Sequence, residues 1–217
     1  FSYVIFSVHL LASLLFSFNL FAADWECQIF PAEHQTEIDS ISGAKIIFAT
    51  TNKSSDTNLY FHDRCWLPDN KMMLFISDRT GRGEIFAYIA ATGELARLSQ
   101  EQDASAHSPV ASRFGDRIYV VKNKSIYQWD LSLALLPKTG LAIAEKKLCD
   151  LPPNSSQLSG LGENSDGTLV SFGYKIEEQN IIAVVNIKTG EQQEVARVSF
   201  PIQHIQFSWT RPDLISF

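Results

Sequence analysis

Two short clusters in this chain carry side chains able to hold a polar ligand. The first is Tyr60-Phe61-His62-Asp63-Arg64; on an extended strand its alternate residues Tyr60, His62 and Arg64 lie on one side. A ring, an imidazole and a guanidinium on one face suit a sugar acid, the ring stacking on the sugar and the guanidinium clamping its carboxylate through two hydrogen bonds. The second is His204-Ile205-Gln206-Phe207, in which His204 and Gln206 share a face and the amide can bond a sugar hydroxyl. Each residue also has a plain structural reading. A strand histidine is satisfied by a neighbouring strand or turn as readily as by a ligand, Gln206 can bond an adjacent strand, and Arg64 can pair with Asp63 or Asp78. Lys122 and Lys124 frame a turn and read as solvated.

Other chemistries find little support. There is no G-x-S-x-G elbow, although Ser, His and Asp are plentiful, and no phosphate-cradling G-x-x-x-x-G-K-[ST] or G-x-G-x-x-G. Cys27, Cys65 and Cys149 form no C-x-x-C or Cys/His spacing, so a zinc knuckle is not indicated. They read either as buried thiols or, in an oxidising compartment, as including a Cys27–Cys65 disulfide. With 24 acidic against 18 basic residues the formal charge is −6 and no basic stripe invites nucleic acid. An anionic ligand would have to be met by a local cluster of cations.

These clusters must be positioned by a fold, and the chain announces one after its first segment. Residues 1–23 contain no Lys, Arg, Asp or Glu and end on Ala22-Ala23 before Asp24, which reads as a signal peptide; an uncleaved membrane anchor of about 20 apolar residues is the alternative. The reading predicts a periplasmic or secreted protein whose mature part, 24–217, has no stable membrane insertion after cleavage. The chain opens on Phe rather than Met, so a start further upstream is expected.

The mature part repeats. Asp69, Asp116 and Asp166 lie 47 and 50 residues apart, and the Gly of three Thr-Gly pairs, Gly93, Gly140 and Gly190, steps by the same 47 and 50. Between these markers each unit carries strongly apolar runs such as Met73-Leu74-Phe75-Ile76 and Ile118-Tyr119-Val120-Val121, as expected of strands covered on both faces. Tight turns are expected at Asn70-Lys71, Gly115-Asp116 and Asp166-Gly167. A period in the forties with four strands per unit predicts an all-β protein, a β-propeller of four-stranded antiparallel blades in the manner of WD40-like repeats. Three whole units run over 59–99, 108–148 and 157–198. Thr36 to Thr51, with Ser42-Gly43, predicts the last strands of a preceding blade. His204 to Phe217 predicts the opening of a following one, with Asp213 again 47 residues after Asp166. Further blades are expected beyond Phe217.

From Thr36 to Phe217 the chain resembles the N-terminal half of the oligogalacturonate lyases, seven-bladed propeller enzymes of pectin breakdown. The resemblance is carried by DTNLYFHDRCWLPDNKMMLFISDRTGRGEIFAYIAATGELARLS from Asp56, DRIYVVKNKSIYQWDL from Asp116 and HIQFSWTRPDLISF from His204. Stretches such as PDNKMMLFISDRTGRGEIF are shared in style with Tol-type periplasmic propellers and the propeller domains of prolyl oligopeptidases. The resemblance implies β-elimination on short galacturonides: a base removes the C5 proton while a divalent metal, manganese in the family, and an arginine neutralise the adjacent carboxylate. It also implies that the catalytic base and the metal ligands follow Phe217, so none is assigned here and this segment alone is expected to be inactive. The export signal departs from the family's common form. Two other functions share the same blades, a non-catalytic Tol-type binding module and the propeller cap of a prolyl-oligopeptidase-like hydrolase.

Overall fold

The computed structural model describes residues 24–100 and 106–217, apart from the side chains of 157–159; the predicted signal peptide lies outside the described residues. Among the described residues regular structure is β-strand throughout, except for a 3-10 turn at Pro68–Asn70. No helix among them is long and apolar enough to cross a membrane.

The described chain opens with β1 (Trp25–Glu26) and β2 (Gln28–Phe30), followed by a hairpin of β3 (Gln35–Ile38) and β4 (Lys45–Phe48). This hairpin occupies the segment expected to close a preceding blade, and Gly43 takes the left-handed conformation (φ 72°) its turn requires. The first whole blade comprises β5 (Asp56–Asn58), β6 (Met72–Ser77), β7 (Glu84–Ile89) and β8 (Leu95–Arg97). The second comprises β9 (His107–Ala111), β10 (Arg117–Lys122), β11 (Ser125–Ala134) and β12 (Gly140–Asp150). The third comprises β13 (Ser156–Glu163), β14 (Leu169–Ile176), β15 (Gln179–Asn186) and β16 (Gln192–Val198). A two-stranded sheet of β17 (Gln206–Phe207) and β18 (Ile215–Ser216) opens the next unit. All pairings are antiparallel, and within each blade they are sequential, a meander from its first strand to its last.

Strand alternation assigns each apolar residue to one inter-blade layer. Met72 and Leu74 of β6 pack with Ile118, Val120 and Trp129 of the second blade. Their neighbours Met73 and Phe75 turn the other way, to Phe86, Tyr88 and Ala49 beside the hairpin. Likewise Tyr119 and Val121 turn from Ile118 and Val120 to meet Val170 and Phe172 of the third blade. Middle strands are thus apolar on both faces, and all six residues of β7 are buried. Each such side chain contributes roughly 1.5–3 kcal/mol by leaving water.

The N-terminal strands were not foreseen. β2 adds to the outer edge of β8 and β1 to the outer edge of β12, so one short segment straps two successive blades and covers both edges. Trp25 fastens it, donating its indole N–H to Leu98 O at 3.1 Å and meeting Trp129 edge-on at 5.3 Å.

Three expectations are corrected. Residues 59–65 leave the strand after Asn58, and the amide of Asp63 turns back to donate to Tyr60 O at 2.7 Å, so Tyr60, His62 and Arg64 do not share a strand face. His204 is left-handed (φ 57°) and precedes β17, so alternation does not pair it with Gln206 either. Lys122 is not solvated but half-buried and paired with Glu145, whereas Lys124 is exposed as expected and donates to the carbonyls of Pro153 and Ser155 at 3.1 and 3.3 Å. Of the two readings open for the cysteines the structure has the free thiols, with Cys27 and Cys65 not bridged.

Candidate functional site

The first strands β9, β13 and β17, with the loop that follows β5, enclose a pocket of about 390 Å³. Its wall takes His62, Arg64 and Trp66 from the first blade, Arg113 from the second, Glu163 from the third, and Gln206 and Trp209 from the opening of the next unit.

At the rim the loop 59–65 piles its aromatic side chains together. Phe61 and His62 have ring centres 3.9 Å apart, a contact that strand alternation would have prevented. His204 joins them from the segment before β17: its ring stacks on Tyr60 at 5.8 Å and 15°, its Nδ1 lies 3.2 Å from Tyr60 Oη, and it meets His62 edge-on at 5.1 Å. Tyr60, His62 and His204, drawn from segments more than 140 residues apart, therefore form one exposed cluster. What carries His204 there is the adjacent Ile205, buried against the backbone of Gly160. That glycine has φ 68°, and a Cβ on it would stand 2.8 Å from Ile205 Cβ. Gln206, half-buried, lines the pocket, and its amide makes no hydrogen bond to the described residues.

The floor is cationic. Arg64 donates Nε–H to Trp66 O at 3.0 Å, and its own carbonyl accepts from Ala111 N at 2.8 Å, which locks the loop to β9. Two residues beyond Ala111, the Arg113 guanidinium lies 4.1 Å over the Trp209 ring. Its backbone is fixed from below by Glu163. This buried carboxylate accepts from Arg113 N at 2.7 Å, from Ser112 Oγ at 2.8 and 3.0 Å and from Tyr119 Oη at 2.7 Å. Burial lowers the pKa of Arg113 and the charge of Arg64 lowers it further, with Glu163 offsetting part. Burial, followed by the adjoining Glu163 charge, raises Tyr119 far enough to keep it a donor. Asp63, on the same wall, is raised by burial, with His62 opposing. No group of three or more His, Cys, Asp or Glu among the described residues is placed to hold a metal ion.

Of the five residues singled out by sequence, Tyr60, His62 and His204 meet in the rim cluster, while Arg64 and Gln206 line the pocket without touching them. Arg64 pairs with neither Asp63 nor Asp78. Arg113, Glu163 and Trp209 were missed, although the repeat holds their signal. Trp66, Arg113 and Glu163 stand three residues before the turn residues Asp69, Asp116 and Asp166, the same position in three units, and all three face the pocket.

No family model and no curated protein matches the chain. Among solved structures, an oligogalacturonate lyase from Vibrio parahaemolyticus superposes with a TM-score of 0.68 at 17% identity, over 85% of this chain and 52% of that one. An oligogalacturonate lyase in complex with manganese gives 0.68 and 17% over 83% and 51%. The likeness shows the fold, an all-β arrangement of propeller blades, and a structural relationship to these proteins. The chain spans about half their length.

Proposed function

We propose that the pocket is the saccharide site of an exported oligogalacturonate lyase, and that the described residues supply the binding side of its chemistry. The observation that carries this reading is the rim cluster, in which Tyr60, His62 and His204 present exposed rings and ring nitrogens above a pocket floored by arginines. Flat rings at a pocket mouth stack on the apolar face of a pyranose, while imidazole and the Gln206 amide bond its hydroxyls.

The reaction is a β-elimination: a base takes the C5 proton, its electron pair forms the C4–C5 double bond, and the C4–O glycosidic bond breaks to release the preceding sugar. A divalent metal such as the manganese of the second structure would supply charge stabilisation at the C5 carboxylate. The described residues bring no three His, Cys, Asp or Glu together to hold it. The uncharged run 1–23, read as a signal peptide, supports a periplasmic or extracellular location. The test is to incubate the complete protein with digalacturonate and manganese. An unsaturated product absorbing in the ultraviolet is expected, with loss of the signal on chelation; no product with manganese present refutes the reading.

A further inference from the structure

We propose that Arg113, together with Arg64, forms a carboxylate subsite on the floor of the pocket and makes the site select acidic over neutral saccharides. The inference rests on the reading that this pocket receives a sugar.

All eight arginines of the chain lie among the described residues. Six of them, Arg79, Arg82, Arg97, Arg117, Arg197 and Arg211, are within ion-pair distance of a carboxylate. The two without one among the described residues are Arg64 and Arg113, and they line the same pocket from neighbouring blades. Half-buried like charges held side by side are costly unless an anion comes between them.

Each is held so that it stays available. Arg64 uses Nε on a carbonyl, and its terminal nitrogens make no hydrogen bond to the described residues. Arg113 has its guanidinium carbon 4.1 Å over the Trp209 ring, a contact that restrains the group without using its N–H donors on a carboxylate. The carboxylate whose charge acts on Arg113, Glu163, already accepts from Ser112, Tyr119 and the Arg113 backbone; it positions Arg113 rather than pairing with its side chain. Asp63 is the one carboxyl on the wall that competes, and burial disfavours its charge. The ligand chemistry that fits is one carboxylate bridged by two planar donor forks beside a ring that stacks at the rim.

The experiment uses the complete protein, with binding of digalacturonate and of its neutral counterpart galactobiose measured by calorimetry. Arg113→Gln is expected to weaken digalacturonate binding about 10- to 100-fold, the range for a lost charge-assisted hydrogen bond, and to leave galactobiose unchanged. Arg64→Gln gives the same discrimination and serves as the second arm should Arg113→Gln not fold. Equal losses for both sugars, or none for the acid, overturn the subsite. The two readings fail separately. A lyase whose KM for digalacturonate is indifferent to both substitutions sinks the subsite alone. A protein that cleaves nothing, yet binds free galacturonate in an Arg113-dependent way, sinks the lyase reading and upholds the subsite.

Discussion

Replacing Glu163 tests whether the pocket floor is held as described. This carboxylate is 6% exposed and takes hydrogen bonds from Ser112, Arg113 and Tyr119, each at 2.7–3.0 Å. Glu163→Ala orphans three donors, of which the fully buried Ser112 and Tyr119 hydroxyls have least room to find water. At about 1–3 kcal/mol for each unsatisfied buried donor, with partial relaxation, the loss is roughly 3–5 kcal/mol. Glu163→Gln keeps one acceptor oxygen, and its amide can donate to a rotated hydroxyl, so about 1–3 kcal/mol is expected. For a chain of this length that places Glu163→Ala on the order of 10 °C below wild type in a melt followed by circular dichroism. Tyr119→Phe, about 1–2 kcal/mol by itself, should add much less in the Glu163→Ala background, because its acceptor is already gone. A Glu163→Ala protein within 1 kcal/mol of wild type, or strict additivity with Tyr119→Phe, would refute the arrangement.

Three other substitutions or probes follow from the same geometry. Gly160→Ala forces a side chain into a left-handed conformation and against Ile205, so roughly 2–3 kcal/mol of stability and the Tyr60–His204 stack should both be lost; a native-like melt would contradict this. Burial opposes ionisation of Glu84, yet hydrogen bonds from Arg97, Thr80 and Arg82 hold its carboxyl below the usual carboxylate range. Its stabilisation is therefore present above the unfolded value of about 4.3 and lost as pH falls through the lower folded value. The stability gap between wild type and Glu84→Gln should accordingly be widest near neutrality and close in acid, and a gap that widens in acid would exclude it. Burial pushes the thiols of Cys27 and Cys149 up to about 12, so both should resist a disulfide reagent at pH 8 until the protein unfolds, whereas rapid labelling of the native protein would contradict their placement.

The blades were legible because two signals repeat in register. Apolar pairs such as Ile118/Tyr119 alternate between two inter-blade layers, and turn residues such as Gly93 and Gly190 sit where the backbone must be left-handed (φ 75° and 73°). The middle unit already strays: β12 begins at Gly140, the chain having turned over residues 135–139. The strap was not legible, since strands of two and three residues have no period and their pairing with Leu95–Arg97 and Ile143 is entirely long-range. At the site, residue types pointed to Tyr60, His62 and His204, but strand alternation was the wrong geometry for them. What unites them is a loop that folds back on itself and a left-handed His204, and neither follows from periodicity. Arg113 and Glu163 went unnoticed because a lone charge beside a turn looks solvated; only the packing of three blades shows them turned inward.

The most direct measurement is a crystal structure of the complete protein with digalacturonate bound. The account predicts a sugar ring packed against Tyr60 and His204, with a carboxylate within hydrogen-bond distance of the Arg113 and Arg64 guanidinium groups. Digalacturonate bound on another face, with these four residues untouched, would contradict it.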